Sequence, residues 1–129
     1  MTIDYNNLFK VIIANPDKSF EKHEIVKLLI CMKLIDKHKS EKSYIRIYTE
    51  FVIKDGKKCD IYYENLKEKS AYIFEIQKID GLQWQKELTN FYKNFNVNYL
   101  RTTDLIIIRL KELSNNIDEL SEQLNTYIF

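Results

Sequence analysis

Two glycines and a single proline among 129 residues leave few places where this chain turns sharply. Regular elements joined by short loops should therefore fill most of its length. Cysteine is equally sparse. Cys31 and Cys59 stand apart and outside any Cys-x-x-Cys pair, which argues against a structural zinc site and a disulfide scaffold and for reduced thiols inside a cell. No apolar run is long enough to cross a bilayer, and Met1 is followed by polar and acidic residues rather than an apolar signal stretch. The expectation is an intracellular protein with no membrane partner, cytoplasmic in its own cell or in a host. Neither sign of charge dominates: 20 Lys and Arg balance 19 Asp and Glu, for a net +1. A near-neutral total neither demands nor excludes nucleic acid, because the distribution of charge decides phosphate binding.

What is present is ordinary globular composition, 45% hydrophobic and 30% charged, enough for one core and one domain over residues 1–129. Heavy use of Lys, Ile, Asn and Tyr points to an AT-rich genome such as that of a virus. Asp4 to Ile13 reads as a short helix ending before Asn15-Pro16. Ser19 reads as the N-cap of a second helix, with Phe20, Ile25, Leu28, Leu29, Met32 and Ile35 at helical spacing to about Lys37. Tyr44–Ile53, Lys58–Tyr63 and Ala71–Gln77 are rich in β-branched and aromatic residues and form an antiparallel meander. Asp55-Gly56 supplies its first turn and Glu64–Ser70 its second. Leu82–Asn96 reads as a helix with Trp84, Leu88, Phe91 and Phe95 on one side. Asp104–Leu110 is a continuous apolar run suited to a strand buried on both faces, and a last helix from Ser114 uses Ile117, Leu120 and Leu124. The order α-α-β-β-β-α-β-α predicts an α/β fold, a mixed sheet with a crossover helix.

The chemistry concentrates on the meander. Glu75 and Gln77 are two apart on one strand and so share a face, and Asp60 lies on the strand before it. Two neighbouring carboxylates repel unless a cation joins them. Mg²⁺ takes oxygen ligands, commonly one or two carboxylates with water and a substrate phosphate, and such a metal activates water for phosphodiester hydrolysis. Lys33, Lys37, Lys39, Lys42, Lys57 and Lys58 are the candidate contacts to a DNA backbone, although solvated helix and turn positions give the same letters. Asp60 and Glu75 also admit a plainer reading, as surface carboxylates on a wet sheet face.

A strand ending in Asp, a turn, and a strand carrying Phe74-Glu75-Ile76-Gln77-Lys78, preceded by an acidic helix and followed by a helix and a buried strand, resembles the PD-(D/E)xK nucleases. The resemblance runs from about Ser19 to Leu110 and is nearest to archaeal Holliday-junction resolvases and the competence-protein nuclease-like branch. It implies a restriction-endonuclease-like core and an Mg²⁺-dependent (or Mn²⁺-dependent) DNA endonuclease, selective for branched or otherwise structured DNA. It further implies metal ligation by Asp60, Glu75 and the Ile76 carbonyl, with Gln77 in the place of the family's lysine. Glu24, or second to it Glu21, matches the acidic residue of the first helix. Glu50, His23 and Lys78 are candidates for supporting roles. It implies a homodimer as well, for which Tyr127, Ile128 and Phe129 offer an apolar surface. The departures are Cys59 in place of proline before Asp60 and the uncharged Gln77, which orients water or phosphate without a lysine's charge. The Gln-x-x-x-Tyr pattern of the exonuclease branch is missing around Gln83 and Gln85, where Glu87 and Thr89 stand.

Two other accounts remain open on the sequence. One is a non-catalytic nucleic-acid binder whose first two helices open a winged-helix domain with Ile53–Ile61 as the wing. The other is a nuclease-fold relative that has lost catalysis and acts through protein interactions.

Overall fold

The computed structural model describes residues 9–10, 21–54, 57–77, 83, 86, 87, 89, 90 and 102–129. Its centre is a five-stranded mixed sheet of β1 (Phe9–Lys10), β2 (Ile45–Lys54), β3 (Lys57–Asn65), β4 (Ser70–Gln77) and β5 (Thr102–Arg109), in that spatial order. Strands β2, β3 and β4 form the expected antiparallel meander. The pairs β1–β2 and β4–β5 are parallel. A parallel neighbour requires a crossover connection, and the described positions between β4 and β5, residues 83, 86, 87, 89 and 90, are helical. The rest of that expected helix, with Trp84, Leu88, Phe91 and Phe95, lies outside the described residues, as do Ser19, Phe20, Asp55-Gly56 and Lys78.

Helix α1 (Glu21–Lys37) packs on one face of the sheet and α2 (Ile117–Leu124) packs beside it. The acidic first turn and the basic last residue of α1 both complement its dipole. Val26, Ile30, Cys31 and Leu34 enter the core against Ile45, Ile47, Ile61, Tyr63, Phe74, Ile76 and Ile108. A large-to-small change such as Leu34→Ala there costs about 2–5 kcal/mol. A second cluster, Cys59, Tyr62, Ala71 and Ile73 with Tyr48, Phe51, Leu105 and Ile107, is built on the strands.

Several sequence expectations are corrected. Phe9-Lys10, read as helical, is a strand bonded alongside Ile47 and Tyr48; the edge of β2 offers these two residues a ladder. Leu28 and Met32, part of the expected α1 stripe, are exposed at 42% and 54%, and the buried stripe is shifted by one position to His23, Val26, Lys27, Ile30, Cys31 and Leu34. Among the described strands β5 lies at the edge of the sheet, with Ile106 and Ile108 packed on the core under α1 and Leu105 and Ile107 on the second cluster; its apolar run is thus covered on both faces, although Ile108 alone is fully buried among residues 104–109. The last helix is capped by Asn116 rather than Ser114, and Ile117 is exposed. Tyr127, Ile128 and Phe129 are not a free surface for a second subunit: they pack on this chain's own core, with the Phe129 ring 3.9 Å from Tyr72 and 5.0 Å from Tyr63. The hairpin Ile53–Ile61 is the end of two central strands of the sheet, not a detached wing. Among the described residues no helix is long and apolar enough to cross a membrane.

Candidate functional site

Strand β2 breaks its own alternation. Tyr48 and Phe51, three residues apart, belong on opposite faces of a regular strand. Their rings nevertheless stack at 5.3 Å, and Phe51 also stacks on Tyr62 at 4.4 Å. The reversal falls at Glu50, whose φ of 51° lies in the left-handed region. A glutamate held there costs on the order of 1–3 kcal/mol. The result is a Glu50 carboxylate that meets α1: its Oε1 lies 2.9 Å from Lys27 Nζ.

Across the ladder Asp60 does something similar. Tyr62 belongs to the second cluster, and strict alternation would send Asp60 the same way. Instead Asp60 Oδ1 lies 3.3 Å from His23 Nε2 on α1, and Oδ2 accepts a 2.7 Å bond from the Ile76 N–H. The regular pairing of β3 with β4 ends at Ile61 and Phe74, so this carboxylate takes over a donor where the two strands part. Helix α1 supplies the remaining partners. Glu24 Oε1 is 3.3 Å from His23 Nδ1, and Glu24 Oε2 is 2.7 Å from Lys27 Nζ. Lys22 fixes this end of the helix by donating to the Leu110 and Leu113 carbonyls and to Asn115 Oδ1 at 3.0, 2.7 and 2.9 Å.

The outcome is a continuous chain of ionisable groups, Glu50–Lys27–Glu24–His23–Asp60. The Lys27 side chain is 0% exposed, and those of Glu24, Glu50 and Asp60 are 13%, 15% and 17% exposed. Burial alone would lower the pKa of His23, but the hydrogen bond and charge of Asp60, then Glu24, outweigh it and leave it raised. The same contest raises Lys27, with Glu24 and Glu50 overcoming burial, so its ammonium stays charged. Taking away one partner of such a buried pair costs about 3–5 kcal/mol, because the other charge is stranded.

Glu75 and Gln77 share a face, as their spacing requires, and the wet-face reading fails for them: they are 7% and 3% exposed. Their neighbours Phe74 and Ile76 belong to the core under α1, so Glu75 and Gln77 project to the opposite face. Glu75 and Asp60 thus approach the parting of β3 and β4 from different sides. Both lie close enough to Cys59 to raise its thiol pKa further, beyond the large effect of burial.

The predicted lysines are not gathered around this site. Lys37 is thirteen residues along α1 from Glu24, about 20 Å at the helical rise, and Lys39 and Lys42 lie beyond it. Lys33 donates to Asn125 Oδ1 at 2.8 Å, and Lys39 lies 3.6 Å from Asp36 in an exposed pair. Lys57 and Lys58 alone belong to the hairpin near Asp60, with Lys58 exposed. Lys27 is the residue that sequence reasoning missed. Its letter sits within an apolar helical run, and only its position between the two glutamates reveals the pairing.

Among the described residues, no three His, Cys, Asp or Glu side chains converge as a ready metal cage. The donor chemistry of Asp60 and Glu75 fits a hard cation all the same, because Mg²⁺ is commonly held by one or two carboxylates and completes its shell with water and phosphate oxygens. Compared with known proteins, the chain matches no family model, no curated protein and no solved structure.

Proposed function

We propose that this protein is a metal-dependent DNA endonuclease with a restriction-endonuclease-like core, and that Asp60, Glu75 and Gln77 form its centre. The observation that carries the reading is Asp60, placed where β3 and β4 part and held there by the Ile76 N–H and by His23 of the acidic first helix. The element order supports it: an acidic helix, an antiparallel meander, helical positions and a parallel strand. That order is an argument from fold analogy, and the site has to bear the function.

In this reading Asp60 from the α1 side and Glu75 from the opposite side, with the Ile76 carbonyl, would hold Mg²⁺ or Mn²⁺ in the gap where β3 and β4 part, and the metal would supply an activated water and neutralise charge on the scissile phosphate. Gln77, an amide with donors and an acceptor, orients water or a phosphate oxygen without adding charge. His23 and Glu24 keep Asp60 in one orientation. Of the candidate DNA-contact lysines, Lys57 and Lys58 share strand β3 with Asp60 and are suited to the DNA backbone. A homodimer, if formed, would use a surface other than the packed C-terminal residues.

A second reading, a nuclease-fold protein that acts only by interaction, is favoured by one observation. Asp60, Glu24 and Glu50 each already have a partner within the chain. The test is cleavage of plasmid, single-stranded and four-way-junction DNA with Mg²⁺, Mn²⁺ or EDTA, for the wild type and for Asp60→Asn and Glu75→Gln. The expected result is metal-dependent cleavage that falls by about 100-fold or more in each variant, the scale of losing a transition-state contact. A well-folded wild type that cuts none of these substrates would sink the reading and leave the interaction protein.

A further inference from the structure

Lys27 and Glu50 form a contact that the packing of a helix on a sheet does not require. The Lys27 side chain is wholly buried, and Glu50 reaches it only through a left-handed residue in mid-strand. Apolar residues of similar volume would fill the same space, and replacing a buried ion pair in that way is often neutral or stabilising. Backbone strain of this kind persists where surrounding structure over-determines it and clusters at functional sites. The contacts also lead somewhere: Lys27 holds Glu24, Glu24 faces His23 Nδ1, His23 Nε2 faces Asp60, and Asp60 accepts the Ile76 N–H.

We propose that Lys27 and Glu50 are positioning residues: they anchor Glu24, and through it His23, so that the Asp60 carboxylate is presented in a single orientation where β3 and β4 part. The role rests on the nuclease reading of that site. It needs no change of protonation at either group, only a fixed ammonium between two fixed carboxylates. It also accounts for the strain at Glu50, because an unstrained β2 would turn this carboxylate away from α1 and out of reach of Lys27.

The test is the double variant K27M/E50Q, which removes one charge of each sign and leaves Glu24 facing His23. Amide hydrogen exchange by NMR reports on Asp60 through the Ile76 N–H, and steady-state cleavage of DNA reports on the reaction. The expected result is at least tenfold faster exchange at Ile76, with the amides of Ile61, Phe74 and Ile108 unchanged. Cleavage should show kcat at least tenfold lower and KM for DNA within twofold of wild type. Unchanged exchange at Ile76 overturns the proposal, and so does faster exchange with wild-type kcat. Should the double variant lose protection throughout, the isosteric Glu50→Gln alone decides. It is expected to speed Ile76 exchange and lower kcat at least threefold, and no change in either overturns the role. A wild type that cleaves no DNA overturns the nuclease reading and this role together. A wild type matched in rate by K27M/E50Q overturns this role alone.

Discussion

His23 is one residue whose surroundings determine a measurable property. Burial disfavours its charged form, yet Asp60 at 3.3 Å and Glu24 at 3.3 Å favour it more, and its pKa is raised in the folded state. The stability it contributes is therefore complete below the ordinary histidine pKa and is lost as the pH rises through the raised folded value. Urea denaturation at several pH values should show the wild type losing stability above about pH 6.5, the unperturbed histidine value, with the loss smaller in His23→Gln. Equal slopes in the two proteins would mean that the carboxylates do not hold the imidazolium. The sequence offered His23 only as a support beside Glu24, because which side chains meet across α1 and β3 depends on packing. Glu75 and Gln77 were legible as a pair from their spacing alone. Their burial was not, since period-two alternation assigns residues to a face without saying which face is covered.

The elements followed local chemistry where that chemistry was strong. The meander β2–β3–β4 appears within one or two residues of its expected bounds, because β-branched and aromatic runs between polar turns leave little choice. Helix α2 shows the opposite case. Both Ser114 and Asn116 are good caps, and the backbone selects Asn116, whose Oδ1 accepts from Asp118 N and Glu119 N at 3.0 and 3.1 Å. Ser114 then braces the cap, its hydroxyl accepting from Asn116 N at 3.0 Å and donating to Glu119 Oε2 at 2.8 Å. Asn116→Ala should cost about 1 kcal/mol in denaturant unfolding, the usual worth of an N-cap. A neutral result would show that the helix is held by Leu120 and Leu124 alone. The local pattern predicts a helix where β1 forms, because the pairing described for Phe9 and Lys10 is with an edge about forty residues away in the chain, and no local pattern reports such a partner.

At the scale of the whole molecule the two thiols measure how tightly the layers close. Cys31 lies in the core between α1 and the sheet, where burial pushes its pKa up to about 12, and Cys59 belongs to the second cluster and is also raised. Neither should react with a thiol reagent at pH 8 while the protein is folded, since the thiolate is the reactive form. Both should react in denaturant. Rapid labelling of Cys31 in the native protein would show α1 lifting from the sheet. The α/β order and the parallel last strand were readable from the alternation of element types. The side from which each acid approaches the site was not, because it depends on a backbone reversal at Glu50 that no composition announces. The aromatic contacts of Phe129 carry a separate consequence. Its ring packs against Tyr63, Tyr72 and Phe74 on the two middle strands, so a chain still being synthesised has its sheet unsealed on that side until residue 129 has emerged from the ribosome. A nascent chain that has not yet delivered residue 129 would leave those tyrosines open to chaperones.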